Sequence, residues 1–239
     1  YFSEISKIWK IQDIENWLQK NSSGFPEKIL VSQDLPEDKW HGWKWLQHNV
    51  EGDIYTNVGA PCNNCISENP QYASIIRLSD DNWEYVAKGV RNSVGFDFHP
   101  ETSKLYFGDN GRDWLGDDSP SCELNRVDED GLFYGFPYQH ALNVKDPEYG
   151  DLKSGYDYVD PILELGAHVA PTGLAFYDGE MFPKKYKNNI FITLHGSWNR
   201  SKKVGYKVIR VVLDGKGDVV DTKDFISGWL DGETVLGRP

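Results

Sequence analysis

The sequence predicts an all-β fold, a β-propeller built from four-stranded blades. Three observations carry this. Short apolar runs alternate with Gly, Asp and Asn turns along the whole chain. The runs pair into hairpins, and the paired hairpins recur about every 50 residues, the mark of a radially repeated sheet. Aromatic residues make up 14% of the chain, with nine Trp and thirteen Tyr, which suits pleated, half-buried strands.

The opening 35 residues carry two strand-like pieces, at 6–11 and 28–35, with a helical turn over 13–19 and an Asn-Ser-Ser-Gly loop between them. They read as the outer half of one blade. The first full blade, about 36–88, has strands at 43–47, 53–58, 74–78 and 83–88. Asn49-Val50-Glu51-Gly52 and Ser79-Asp80-Asp81-Asn82 supply its turns. The second, about 89–137, has strands at 95–99, 104–107, 123–127 and 132–135. In it Phe96 and Phe98 share one face while Asp97 points to the other. After an insertion at 138–160, a third blade, about 161–230, has strands at 173–177, 189–194, 206–213 and 219–226. Three and a half blades fall short of the roughly four needed to close a ring, so the chain reads as part of a propeller. The remaining blades are expected from further sequence or from another chain. Tyr1 in place of Met reads likewise as a processed or incomplete start.

The net charge of −12 argues against nucleic acid and anionic membrane surfaces. No apolar run reaches the roughly 18 residues of a membrane span. Cys62 and Cys65 stand in Pro-Cys-Asn-Asn-Cys, and Cys122 stands alone. One CxxC without a second does not make a four-ligand zinc site, and the βαβ setting of a redox CxxC is missing. A short-range disulfide, two unpaired thiols, or a pairing with Cys122 remain open. Asn21-Ser22-Ser23 and Asn199-Arg200-Ser201 are glycosylation triplets of a kind common by chance.

The stretch from Gly89 to Asn125 carries the most chemistry. Gly108-Asp109-Asn110-Gly111 ends a strand and exposes backbone. Arg91 precedes it, and Asp109, Asp113, Asp117, Asp118 and Glu123 lie in or after it. That pattern fits a hard-cation and anion site at the mouth of a sheet, set against the plainer reading of a solvated acidic loop.

Several motifs together give the chain a resemblance to a known family. They are Trp40-His41-Gly42-Trp43-Lys44, Val58-Gly59-Ala60-Pro61-Cys62, Gly89-Val90-Arg91-Asn92 and Gly108-Asp109-Asn110-Gly111. Ala170-Pro171-Thr172-Gly173 and His195-Gly196-Ser197-Trp198-Asn199-Arg200 complete the set. The chain resembles the pyrroloquinoline-quinone-dependent sugar dehydrogenases, six-bladed propellers, in their L-sorbosone and pyranose dehydrogenase branch. The resemblance implies oxidation of a sugar or sugar-derived alcohol or aldehyde, with hydride passing to C5 of the quinone. It makes His41 the general base and puts Arg91 beside the C5 carbonyl, supported by Asn92. The backbone carbonyls of Gly111 and Arg112 would bind Ca²⁺, although the family's glucose enzyme has Gly-Pro at this point. His168 would sit at the cofactor rim, and Arg200 and Arg238 would pair with cofactor carboxylates. Trp43, Trp114 and Trp198 are candidates to stack on the quinone or a sugar face.

The resemblance further implies a small-molecule sugar substrate, an external acceptor (a haem protein or a quinone), and an extracellular or periplasmic setting. Two other readings stand beside it. One is a non-catalytic propeller acting as a carbohydrate-binding or scaffolding module. The other is a calcium-dependent lactonase type, to which Asp109 and Asn110 would contribute ligands.

Overall fold

The computed structural model describes residues 1–20, 23–79, 82–152 and 157–239. The tip of the 21–24 loop with its glycosylation triplet, the centre of the 79–82 turn and part of the expected insertion lie outside these residues. Three strands, Phe2–Ser3, Ile8–Ile11 and Lys28–Ser32, form the first sheet, and the short helix Ile14–Gln19 fills the expected helical turn. The second sheet runs Leu46–His48, Ile54–Val58, Ser74–Ser79 and Asn82–Lys88, each antiparallel to the last. The third holds Phe96–Phe98, Leu105–Asp109, Ser121–Arg126 and Leu163–Ala167. The fourth holds Pro171–Phe176, Ile190–Leu194, Lys207–Leu213 and Val219–Ile226.

The sheets pack face on face, and the alternation of side chains shows how. In Ile54–Val58, Ile54 and Val58 join Ile8 and Ile76 between the first and second sheets. Tyr55 on the same strand points the other way, into a cluster with Ile75, Phe96, Leu105 and Phe107 between the second and third sheets. Tyr106, lying between Leu105 and Phe107, turns to the opposite face and meets Leu124, Ile190 and Ile192 between the third and fourth sheets. Middle strands are therefore buried on both faces. Their near-continuous apolar runs come from that two-sided burial, with successive side chains serving two cores.

One expected strand belongs elsewhere. Residues 132–135 were expected to complete the blade at 89–137. Instead Leu132–Phe133 pairs in parallel with Asn82–Lys88 and extends the second sheet to five strands. The backbone there is claimed by its neighbour: Tyr134 N–H donates to Lys88 O at 2.7 Å, and Phe136 N–H to Gly89 O at 3.0 Å. The outer strand of the third sheet is Leu163–Ala167, antiparallel to Ser121–Arg126. The insertion therefore lies within this sheet's connectivity, between its third and fourth strands. Its described part forms a small hairpin, Gln139–His140 with Val144–Lys145.

Candidate functional site

The strand-end loops of the last three sheets converge on one cleft of about 120 Å³, which draws in His41, Arg91, Asn92, Gly111, His168 and Trp198. These residues lie far apart in sequence and share one end of the sheets. His41 has a positive φ of 51°, a conformation that costs a non-glycine residue of order 1 kcal/mol and that clusters at functional sites. His168 and Ala170, in the same lining, also have positive φ.

His41 Nδ1 lies 2.8 Å from the Ala60 carbonyl oxygen. A carbonyl only accepts, so Nδ1 carries the proton and Nε2 keeps its lone pair. Burial lowers the imidazole pKa to about 4; the Arg91 guanidinium adds to the depression and the Ala60 carbonyl opposes it. His41 is thus a neutral acceptor at physiological pH. Gly59 makes this placement possible, because a Cβ there would come within 2.6 Å of His41 Cβ.

Arg91 is 4% exposed, and every N–H of its guanidinium has an acceptor. Nε donates to Asn63 O at 2.8 Å and Nη2 to Asn63 Oδ1 at 2.8 Å. Nη1 donates to Asn110 O at 3.1 Å and Gly111 O at 3.0 Å. Asp113 Oδ2 completes the set, 3.4 Å from Nη2. Asp109 holds the backbone instead, its two carboxylate oxygens accepting from Arg91 N at 2.8 Å and Asn92 N at 2.7 Å.

The acidic stretch divides in two: Asp109 and Glu123 are buried, whereas the Asp118 side chain is exposed. Asp109 and Glu123 are buried and face each other across adjacent strands. Burial pushes the carboxyls of both upward, Glu123 to about 8, with the Asp109 charge reinforcing the rise. Asp109 has two backbone N–H donors and the Arg91 charge beside it, whereas Glu123 has one backbone donor, Ala141 N, and the Asn125 amide, so Asp109 is the more readily ionised of the two. Asp113 accepts Asn199 Nδ2 at 2.6 Å, Arg200 donates to the Asp117 backbone carbonyl and the Asp118 carboxylate, and the Asp117 carboxylate accepts Ser201 N at 3.1 Å. Asn110 Nδ2 donates to the Asn92 and Pro171 carbonyls at 2.9 and 3.2 Å. Both carboxylate oxygens of Asp109 are thereby taken by backbone N–H groups, and Asn110 is tethered through its Nδ2.

The remaining expected site residues do not all converge. Arg112 swings to Asp146, which also accepts from His140 Nε2 at 2.9 Å and Asn64 Nδ2 at 3.1 Å. Arg200 lies along the 116–118 loop, and Arg238 is exposed, its Nη1 on the Gly196 carbonyl at 2.7 Å. His168 Nε2 is 2.7 Å from the Gly116 carbonyl. Trp114 and Trp198 meet edge to face at 5.5 Å on the rim. Trp43 is 84% exposed. Cys62 and Cys65 form a disulfide, and Cys122 is a buried free thiol. Asn199, half-buried with its amide on Asp113, is poorly placed as a glycosylation acceptor.

Asp113 stood in the acidic group read from the sequence, but Asn63, Ala60 and Asn199 were not singled out as site residues. The only signal for these three was position within motifs already quoted. Among the described residues no group of three or more His, Cys, Asp or Glu side chains is arranged to hold a metal. Two buried amide oxygens on the cleft, Asn92 Oδ1 and Asn199 Oδ1, have no donor among the described residues.

Comparison with known proteins agrees with this architecture. Residues 139–227 match the family model described as TrAA12-like. A Borreliella burgdorferi protein described as uncharacterised is 36% identical over 249 residues, spanning 100% of this chain and 66% of the relative. The pyrroloquinoline quinone-dependent pyranose dehydrogenase of Coprinopsis cinerea is 38% identical over 64 residues, 27% of this chain and 8% of that protein. Among solved structures, the Trichoderma reesei protein of Carbohydrate-Active Enzymes Family AA12 superposes with a TM-score of 0.72 at 20% identity, covering 93% of this chain and 65% of that one. A calcium structure of the same protein superposes with a TM-score of 0.72. The holo PQQ domain of the C. cinerea pyranose dehydrogenase gives 0.69 at 16% identity, covering 94% of this chain and 67% of that one.

The fold is therefore that of a β-propeller. The resemblance carried by the motifs stands: the chain is similar to the TrAA12-like and pyrroloquinoline-quinone-dependent sugar dehydrogenase proteins. It spans about two thirds of the length of the B. burgdorferi and T. reesei relatives.

Proposed function

We propose that the cleft belongs to a sugar oxidoreductase that works with pyrroloquinoline quinone and Ca²⁺. One observation carries this reading: a neutral imidazole with a free Nε2 lines the same cleft as a fixed guanidinium. Nε2 would take the hydroxyl proton of the substrate as the electron pair of the adjacent C–H bond departs and the C=O bond forms. Arg91 holds a permanent positive charge beside the point where negative charge would develop, and needs no reorganisation to do so. Bound quinone supplies the hydride acceptor.

The residues present suit that group. Gly111 O, Asn92 Oδ1 and Asn199 Oδ1 are hard oxygens on one cleft of kinds that calcium accepts; the two amide oxygens have no donor among the described residues, while Gly111 O would be shared with Arg91 Nη1, 3.0 Å away. Trp198, exposed on the lining of the cleft, is available to stack on a flat ring. Arg112 is directed at Asp146, so its role is limited to a backbone carbonyl. Electrons would leave to an external haem protein or quinone. The Cys62–Cys65 disulfide favours an extracellular or periplasmic setting, and no helix of the described residues is long and apolar enough to cross a membrane.

A second reading, a non-catalytic carbohydrate-binding or scaffolding propeller, draws on a different observation. All the guanidinium N–H groups of Arg91 are already engaged, and Arg112, Arg200 and Arg238 have internal partners. Reconstitution with the quinone and Ca²⁺, followed by dye reduction across a sugar panel, separates the two. Turnover that disappears in His41→Ala supports the oxidoreductase. Absence of quinone binding by the wild-type protein leaves the scaffold reading.

A further inference from the structure

The Cys62–Cys65 loop has no role in the chemistry above, yet its two asparagines reach both sides of the cleft's charged network. Asn63 takes two of Arg91's donors, one on its backbone carbonyl and one on Oδ1, each at 2.8 Å. The same Oδ1 accepts Asp113 N at 2.8 Å, and Nδ2 donates to Asp113 O at 3.1 Å. Asn64 reaches the opposite way, to Asp146 Oδ2 at 3.1 Å. One side chain thus ties together three segments that meet only in the folded protein.

We infer that the disulfide loop is the positioning device of Arg91, with Asn63 as its positioning residue. The inference rests on the functional reading above for its consequence in turnover, but the contact itself does not. A guanidinium gripped by a free loop would lose orientation whenever the loop moved. Joining residues 62 and 65 confines the backbone between them, so Asn63 presents its two acceptors without first being ordered. Ala60, just upstream, donates its N–H to Arg91 O at 2.8 Å and accepts from His41. The segment from Ala60 to Asn63 therefore sets the relative placement of base and cation. Asn63 touches neither reacting atom; it acts through Arg91.

The test uses the whole chain with two variants, Asn63→Ala and the paired Cys62→Ser/Cys65→Ser. The first readout is the Arg91 Nε–H signal by heteronuclear NMR and its exchange with solvent, which needs neither quinone nor sugar. Exchange is expected to quicken about tenfold or more in both variants, while Asn64→Ala leaves it unchanged. In reconstituted protein, kcat is expected to fall about tenfold or more, with KM for the sugar within about twofold, as for an interaction stronger in the transition state. Arg91 protection equal to wild type in a folded variant overturns the inference. Should Asn63→Ala not fold, the serine pair gives the same decision. Wild-type protein that binds no quinone ends the functional reading alone, and the NMR result still decides this one.

Discussion

Ala60 accepts the Nδ1 proton of His41 at 2.8 Å, which fixes the imidazole tautomer. The lone pair on Nε2 is available because a backbone atom, not a titratable neighbour, holds the other nitrogen. A carboxylate in that position would raise the imidazole pKa, whereas burial and Arg91 lower it to about 4.

This yields a pH signature. The folded pKa lies below the unfolded value of 6.5, so the unfolded chain binds more protons between the two. The stability contributed by neutral His41 is therefore present above 6.5 and is lost as pH falls through about 4. In reconstituted protein the acid limb of kcat/KM should have its midpoint near 4 rather than near 6.5. A pH–rate profile and an NMR titration of His41 check this, and a midpoint at the ordinary histidine value would contradict the buried geometry.

Gly59→Ala is expected to displace His41. The new Cβ would lie 2.6 Å from His41 Cβ and 2.9 Å from its carbonyl, so one of the two backbones must shift. Overpacking of this kind costs about 1–3 kcal/mol. Denaturant unfolding should report that loss, and turnover should fall by much more than the stability change explains.

Glu123→Gln probes the buried acid pair. Glu123 is raised to about 8 by burial and by Asp109. A carboxyl raised on folding contributes stability below its unfolded pKa, and that contribution is lost as pH rises through the folded value. Asp109, also raised, adds a loss in the same direction over its own window. Wild-type protein should therefore lose thermal stability toward pH 8. The glutamine variant, with no charge to gain at 123, should lose less over the same range. Equal slopes in the two proteins would mean that Glu123 is already ionised at neutral pH.

Asp146→Asn tests the hub behind the site. Asp146 is 1% exposed and receives His140, Asn64, Arg112 and the backbone N–H groups of Glu148 and Tyr149. Removing its charge leaves the Arg112 guanidinium, 11% exposed, without a counter-ion. Such losses cost about 3–5 kcal/mol. Equilibrium unfolding measures this directly, and a cost under about 1 kcal/mol would mean that Arg112 finds water or another acceptor.

The strands were legible because their side chains alternate between two cores. Ile75 and Ile76, adjacent in sequence, serve opposite faces, and the turns between strands carry the expected Gly, Asp and Asn. The outer strand of the third sheet was not legible. Leu132–Phe133 and Leu163–Ala167 are both short and apolar, and only the neighbouring edge at Asn82–Lys88 decides which of them joins it. The motifs gathered His41, Arg91, Asn92, Gly111 and His168 into one cleft, but the fate of the acids was hidden. Asp109 looks like a surface carboxylate until two backbone N–H groups eighteen and seventeen residues upstream are brought to it. Arg112 was read for its backbone carbonyl, and the partner that takes its side chain, Asp146, lies within the insertion, where no motif marked it.

Repeat architectures are often treated as interchangeable cassettes, each unit exchangeable for its counterpart in a relative. The second and third sheets here do not separate that way. Because Leu132–Phe133 lies along Asn82–Lys88, cutting out 96–167 as a unit would also strip an edge strand from the sheet before it. Any chimera must move the pair together, so in recombination the two behave as one heritable piece.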